Sequence, residues 1–270
     1  MAENDLPPNQ LMVLGIIGGL VFIYLATGLN NASGTAWFSF LGAIGAVFAV
    51  FWGADAVRRV ASYGLGTGVP SIGMLSIGAG IVAVLLGLAV AKNYNIEIAA
   101  PIIALILSAI IGIINGIMAR RVIKMNIAIM ERSMMEIAMA ASLIVLGYST
   151  TIAGGYTFDK VLSYVVATGF ILAVFITGGM AMLHPFNANL GPDERQARTL
   201  NLAISCGFLA MIIAGIAAGA INGVPAAVPT LVVAIIGWII YYMRFFNDVK
   251  EDAAAVLSTG LLPKEEEVMA

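Results

Sequence analysis

Residues Ala119–Lys160 read ARRVIKMNIAIMERSMMEIAMAASLIVLGYSTTIAGGYTFDK and decide how the rest of the chain is organised. The stretch opens on the basic end of one apolar segment and passes through a short charged connector. It then enters a second apolar segment that carries the polar cluster Tyr148–Thr151. Because it lies near the middle of the sequence, it separates two sets of hydrophobic segments. It also carries the basic residues that orient those segments.

The composition is that of an integral membrane protein. Of the 270 residues, 61% are hydrophobic and 10% are charged, whereas soluble domains carry about 25% charged residues. The mean hydropathy is +1.00. Since the apolar runs are long and nearly free of charge, they predict helices that satisfy their own backbone groups in lipid rather than strands of a barrel. The predicted fold class is therefore all-α, a polytopic transmembrane helical bundle.

About eight membrane spans are predicted, each close to the 20 residues that cross a bilayer. Their limits are Leu11–Leu29, Thr35–Ala54, Ser71–Ala91, Ile98–Ala119, Ile137–Ala153, Val161–Leu183, Leu200–Ile221 and Ala226–Met243. The chain divides into a polar cytoplasmic N-terminus (1–10), a transmembrane helical domain (11–243) and a charged cytoplasmic tail (244–270). Trp37 and Trp52 near the ends of the second span are expected in the interfacial aromatic belt.

The basic residues predict an orientation. Eleven of the thirteen Lys and Arg residues fall in the tail and in the loops after spans two, four and six, and only Lys92 and Lys160 fall on the opposite side. The positive-inside rule then places both termini in the cytoplasm of a multi-pass cell-membrane protein. Four spans on each side of the central stretch suggest a parallel 4 + 4 repeat, which residues 71–101 and 199–229 support with few identities.

Three GxxxG motifs predict close helix packing, at Gly15 and Gly19, Gly112 and Gly116, and Gly215 and Gly219. The motif itself does not say whether the opposing helix belongs to this chain or to a different protein of the same assembly. Both interpretations stay open at this point.

Carboxylates are predicted only at span edges or in loops, with Asp55, Glu97, Glu136 and Asp159 nearest to the membrane. An ion path in this chain would then use hydroxyl, amide and carbonyl oxygens. Its candidate residues are Ser149, Thr150, Thr151, Asn115, Asn201 and Ser205. The alternative for each is a polar group that hydrogen-bonds its own or a neighbouring helix.

Catalytic chemistry is not predicted in this chain. It has one histidine, His184, and one cysteine, Cys206, which makes a zinc site made only of protein ligands improbable. We find no pairing of nucleophile and base, no phosphate-binding loop and no nucleic-acid patch. The sequence predicts no catalytic residues and no cofactor bound by the chain itself.

Three segments resemble the C subunit of the tetrahydromethanopterin S-methyltransferase of methanogenic archaea. They are GIMARRVIKMN (116–126), MERSMMEIAMAASLIVLGYSTTIAGGYTFD (130–159) and HPFNANLGPDERQARTLN (184–201), and the resemblance extends over the whole chain. It implies a complex that moves a methyl group from methyl-tetrahydromethanopterin through a corrinoid to coenzyme M and exports sodium ions.

The resemblance also implies partners. These are the D and E subunits in the membrane, the corrinoid-carrying A subunit, and membrane lipid. The glycine-rich helix faces are expected to contact the D and E subunits, and the cytoplasmic loops the corrinoid-bearing domain. The candidate coupling residues in those loops are Arg120, Arg121, Lys124, Arg132, His184, Asp193, Glu194 and Arg195. Two other functions remain open: an independent secondary transporter and a purely structural membrane anchor.

Overall fold

The computed structural model describes residues 8–63, 68–122, 129–164 and 224–258, together with Asn201, Ile204, Ser205, Phe208 and Ile212. Over these residues the chain is helical. The helices are α1 (Pro8–Ser33), α2 (Phe40–Tyr63), α3 (Gly68–Asn93), α4 (Ala100–Arg121), α5 (Met130–Ala153), α6 (Phe158–Tyr164) and α7 (Val224–Ser258). Short 3-10 turns, Trp37–Ser39 and Glu97–Ala99, lead into α2 and α4. The all-α prediction is confirmed.

Five segments of the described chain are long and apolar enough to cross a membrane. They are Asn9–Ser33, Trp37–Ala56, Glu97–Arg121, Met130–Thr151 and Leu231–Asp248, and a shorter apolar helix covers Gly78–Asn93. Much of the predicted sixth and seventh spans lies outside the described residues. The count of eight spans and the 4 + 4 repeat therefore stay predictions.

Helix α5 is the centre of the bundle, and α1, α2, α3 and α4 all pack against it. Nearly every side chain between Met130 and Thr151 is buried. The helix ends at Ala153 and is followed by Gly154, whose φ of +67° is the left-handed conformation that glycine adopts at little steric cost.

The two ends of the bundle differ in charge. At one end, which we call the arginine end, lie Asn9, Arg59, Arg120 and Arg132, joined by contacts between α1, α2, α4 and α5. At the opposite end, the lysine end, Lys92 of α3 pairs with Asp159 of α6, and Lys160 follows. This grouping agrees with the division of basic residues between loops, although it does not by itself identify the cytoplasmic side.

Helix α4 shows how small residues direct the packing. Its buried face repeats small residues every four positions, and Pro101 stands in its first turn, where proline needs no N–H partner. The small residues are Ala100, Ala104, Ser108, Gly112 and Gly116. Isoleucines such as Ile102, Ile106 and Ile110 occupy the exposed face. A helix in lipid is expected to have this arrangement, with small residues that let backbones approach on one face and bulky side chains that point outward on the other.

The first two GxxxG motifs pack within the chain. A Cβ added at Gly112 or Gly116 would lie 2.7 Å or less from the Cα of Met135 or Glu131 on α5. A Cβ at Gly15 would collide with Trp52 of α2, and one at Gly19 would lie 2.9 Å from Leu143. These faces are therefore not available to the D and E subunits, which corrects the expectation that they make that contact. Gly215 and Gly219 lie outside the described residues.

Candidate functional site

Glu136 is a fully buried carboxylate on the central helix. Its side chain has 0% exposure. The indole N–H of Trp52 donates to Oε2 at 3.0 Å, and Nε of Arg132 donates to Oε1 at 2.7 Å. The guanidinium of Arg59 forms a further ion pair with Oε2. Both carboxylate oxygens are thus satisfied by charged or polar donors from α2 and α5.

Arg59 links Glu136 to a second buried carboxylate. Its Nε donates to Oδ2 of Asp55 at 3.0 Å, one turn earlier on α2. Asp55 is 1% exposed and Arg59 only 12%. We call the set formed by Trp52, Asp55, Arg59, Arg132 and Glu136 the Glu136 network. Since buried charges are costly unless they are paired and hydrogen-bonded, these contacts are what allow the carboxylates to remain inside the bundle.

The network reaches the surface through Arg132. This side chain is 44% exposed, and its Nη2 donates to Oδ1 of Asn9 at 2.7 Å. Beside it, Nη1 of Arg120 donates to Glu131 at 2.9 Å and joins the end of α4 to the start of α5. A charged path therefore runs from the surface of the arginine end to the buried Glu136.

Two expectations about this region are wrong. Glu136 is not at the edge of an apolar segment, because α5 begins at Met130 and the candidate span starts with it. Trp52 is not in an exposed interfacial belt, because it has 0% exposure and its indole bonds Glu136. Trp37, by contrast, is 70% exposed. The missed signal is spacing: Arg132 and Glu136 are one turn apart, as are Asp55 and Arg59, which places each pair on one helix face.

Removal of the indole donor is expected to destabilise the folded chain. In the Trp52→Phe variant Glu136 loses one buried hydrogen bond, which costs about 1–3 kcal/mol. Thermal unfolding of the purified chain in detergent measures the loss. Trp37→Phe is the matched control and should change stability by less than about 0.5 kcal/mol, because Trp37 lies at the surface. Equal effects of the two substitutions would contradict this role of Trp52.

The hydroxyl cluster of the sodium-path prediction lies at the other end of α5. Thr150 donates to the carbonyl of Leu146 at 2.8 Å, and Thr151 to that of Gly147 at 2.9 Å. Ser149 donates to the carbonyl of Gly155 at 3.2 Å. The three side chains are at most 1% exposed. Each hydroxyl uses its proton on the backbone and keeps oxygen lone pairs as acceptors.

The other candidate polar residues do not join this cluster. Asn115 is half-buried on α4, one residue from Gly116, which packs on Glu131 at the arginine end. The amide of Asn201 lies 3.5 Å from Oδ2 of Asp248 on α7. Ser205 is buried, at 2% exposure. The six residues thus do not form a single ion site in the described chain.

The candidate coupling residues are described only in part. Arg120, Arg121 and Arg132 lie together at the arginine end, the first and last in the ion pairs given above. Lys124, His184, Asp193, Glu194 and Arg195 lie outside the described residues.

Comparisons with known proteins agree along the whole chain. Residues 1–266 match the family model described as the C subunit of tetrahydromethanopterin S-methyltransferase. Proteins of that name from Methanosarcina barkeri and Methanothermobacter thermautotrophicus are 50% and 48% identical to this chain, with 99% and 98% of it and 96% and 97% of the relative covered. The protein of that name from Methanocaldococcus jannaschii is 40% identical, with 97% and 95% covered. The chain belongs to the family formed by the C subunit of tetrahydromethanopterin S-methyltransferase.

Proposed function

We propose that this chain is a membrane component of a sodium-translocating methyltransferase complex and helps couple methyl transfer to outward sodium transport. In this proposal it lies in the cell membrane with both termini in the cytoplasm. It associates with the D and E subunits in the membrane and with the corrinoid-carrying A subunit. The corrinoid and the reacting methyl group belong to those partners, and this chain contributes no catalytic residue.

The observation that carries the proposal is the Glu136 network. A carboxylate at 0% exposure stands within an apolar helix long enough to span a membrane, and ionisable residues in such positions usually mark ion pathways or coupling sites. The network also reaches the arginine end, the end that the basic residues predict to be cytoplasmic. A change in a cytoplasmic partner therefore has a physical route, through Arg132, to the centre of the bundle.

The proposed sodium path then follows α5 toward the lysine end. There Ser149, Thr150 and Thr151 supply three consecutive buried hydroxyl oxygens, and Thr150 and Thr151 lie beside Gly42 of α2. Hydroxyl and carbonyl oxygens are the hard ligands that alkali cations accept. Asn115, Asn201 and Ser205 remain candidates for separate polar contacts along the interfaces of α4 and α7.

A structural anchor is the second candidate function. It is favoured by the same hydroxyls, because each already donates a hydrogen bond to a backbone carbonyl. The donors around Glu136 likewise satisfy it without any ion. Under this alternative the polar groups only fix helix positions.

Sodium transport by the whole complex in liposomes separates these candidates. The complex is isolated under mild conditions, and uptake of radioactive sodium is measured per methyl group transferred. The combined substitutions Ser149→Ala, Thr150→Val and Thr151→Val keep side-chain shape and remove the hydroxyls. We expect the ratio to fall at least about tenfold with methyl transfer retained, which corresponds to a barrier to sodium movement that is ~1.4 kcal/mol higher.

Ser108→Ala is the matched control, because the Ser108 hydroxyl also donates to a carbonyl one turn earlier, at 2.7 Å, and is buried on α4. It should leave the ratio unchanged. An unchanged ratio in the triple variant would favour the anchor. Isolation of the chain without corrinoid or other subunits would favour the independent transporter.

A further inference from the structure

A cleft with both polar and apolar walls opens at the lysine end, at the opposite end of the bundle from the Glu136 network. Its volume is about 420 Å³, within the range of small-molecule sites. It lies between the end of α1, the start of α4 and the loop that joins α5 to α6. Its polar lining includes Tyr24, Asn31, Glu97, Tyr156 and Lys160.

Tyr156 brings a hydroxyl group to this cleft. Its side chain is 7% exposed, and no hydrogen bond to its hydroxyl is found among the described residues. Its ring meets that of Tyr24 edge-on, with centroids 6.1 Å apart, while the Tyr24 hydroxyl donates to the carbonyl of Ile98 at 2.7 Å. Burial, with smaller contributions from Tyr24 and Glu97, raises the pKa of Tyr156 to about 12. The hydroxyl is a neutral group at physiological pH and can donate a hydrogen bond to a ligand in the cleft.

The cleft carries one acidic and one basic side chain that do not form an ion pair with each other. At this end of the bundle, Lys92 pairs with Asp159 at 2.8 Å outside the cleft. Glu97 and Lys160 both line the cleft, and neither forms an ion pair within the described part of the chain. A ligand with a positive and a negative group matches this arrangement better than a simple cation or anion.

Two of the glycines that line the cleft border open space. A Cβ added at Gly28 or Gly154 would meet no atom within 4 Å, and both residues line the cleft. Gly154 is required by its positive φ. Gly28 lies inside α1, where glycine costs about 1 kcal/mol relative to alanine, and no close helix contact accounts for it.

Exposed aromatic residues indicate where the cleft lies relative to the membrane surface. Trp37 and Tyr94 are 70% and 69% exposed and lie at the lysine end, next to the cleft-forming elements. Tryptophan and tyrosine collect at the level of lipid headgroups. Glu97 itself begins the apolar segment Glu97–Arg121, so the cleft opens where a headgroup would lie.

We propose that this cleft binds the headgroup of a zwitterionic amine–phosphate lipid, with its ammonium at Glu97 and its phosphate at Lys160 and the Tyr156 hydroxyl. Charge-assisted hydrogen bonds hold both groups, and the two tyrosine rings cover the ammonium side. This rests on the membrane location proposed above and is independent of sodium transport.

Lipid-dependent thermal unfolding tests the site. The full chain is held in nonionic detergent and titrated with short-chain phosphatidylethanolamine. If the chain is isolated as part of its complex, the whole complex is used. We expect a saturable rise of the unfolding midpoint of about 3 °C or more. Phosphatidylglycerol, which lacks the ammonium, should give less than half of that rise. Neither methyl transfer nor a sodium gradient enters this measurement, so its failure and that of the proposed function are distinguishable.

Variants decide whether the cleft is responsible. Glu97→Gln, Lys160→Gln and Gly28→Leu should each abolish the rise. Asp159→Asn, which breaks the ion pair outside the cleft, should preserve it. Midpoints measured without lipid show whether each variant is folded. If the lipid-induced rise of the midpoint survives all three cleft substitutions, the proposal is overturned. It is also overturned if sodium chloride alone raises the midpoint and the same three substitutions abolish that rise. An equal rise with soluble glycerophosphoethanolamine overturns the lipid assignment and gives the site to a free zwitterion.

Discussion

Replacing Glu136 with alanine is expected to destabilise the folded chain by about 3–5 kcal/mol, the usual cost of breaking a buried ion pair on one side. The substitution leaves the guanidinium of Arg59, which is 12% exposed, without its partner on α5. It also leaves the Trp52 indole without an acceptor. Unfolding of the purified chain by a rising fraction of denaturing detergent measures the loss, and the amount of folded chain in membranes should fall with it.

Glu131→Ala is the control for this prediction. Glu131 lies on the same helix five residues earlier and also pairs with an arginine, but the pair is 39% and 29% exposed at the surface. Exposed pairs contribute only about 0.2–1 kcal/mol. Glu136→Gln should fall between the two, since the amide oxygen still accepts from Trp52 while the charge is lost. Similar losses for Glu131→Ala and Glu136→Ala would show that burial does not set the strength of the network.

The position of Glu136 also explains what the sequence alone does not disclose. The uninterrupted apolar run begins at Ile137, so hydropathy places the span there, but α5 begins at Met130. The charged residues of this first part are good helix formers, and Glu136 is neutralised by Arg59 of α2, 77 positions away in sequence. The hydropathy pattern of one segment contains no information about a partner residue on another segment. The same reason hid the burial of Trp52.

Long apolar runs, by contrast, were sufficient to locate most described helices. The predicted first span lies within α1, which extends beyond it by a few residues at either end. The predicted fourth span begins in the 3-10 turn Glu97–Ala99 and ends two residues before the end of α4. Their packing partners were not predictable, because GxxxG specifies a close approach and not the helix opposite. The candidate hydroxyls could be named from composition, but their separation from Asn115 follows from the antiparallel course of α4 and α5.

The close approach of α2 and α5 gives the second large expected effect on stability. Gly42 of α2 and Gly147 of α5 face each other so closely that a Cβ on Gly147 would lie 2.5 Å from the Gly42 carbonyl oxygen. A Cβ on Gly42 would lie 2.4 Å from the carbonyl oxygen of Gly147 and 2.9 Å from the Thr151 hydroxyl. Since backbone atoms form the obstacle on both sides, a rotamer change does not relieve the collision. The two helices must separate.

Gly147→Ala is therefore expected to destabilise the chain by about 1–3 kcal/mol, although alanine favours a helix over glycine by about 1 kcal/mol. Gly28→Ala is the matched control on α1, where the added methyl group meets no atom within 4 Å. There only the helix preference remains, so this variant should be as stable as the original chain or more stable. Opposite signs for the same chemical change, measured by unfolding in detergent, would establish that the α2–α5 contact sets the cost. A neutral Gly147→Ala would mean that α2 and α5 are less closely packed than the structure has them.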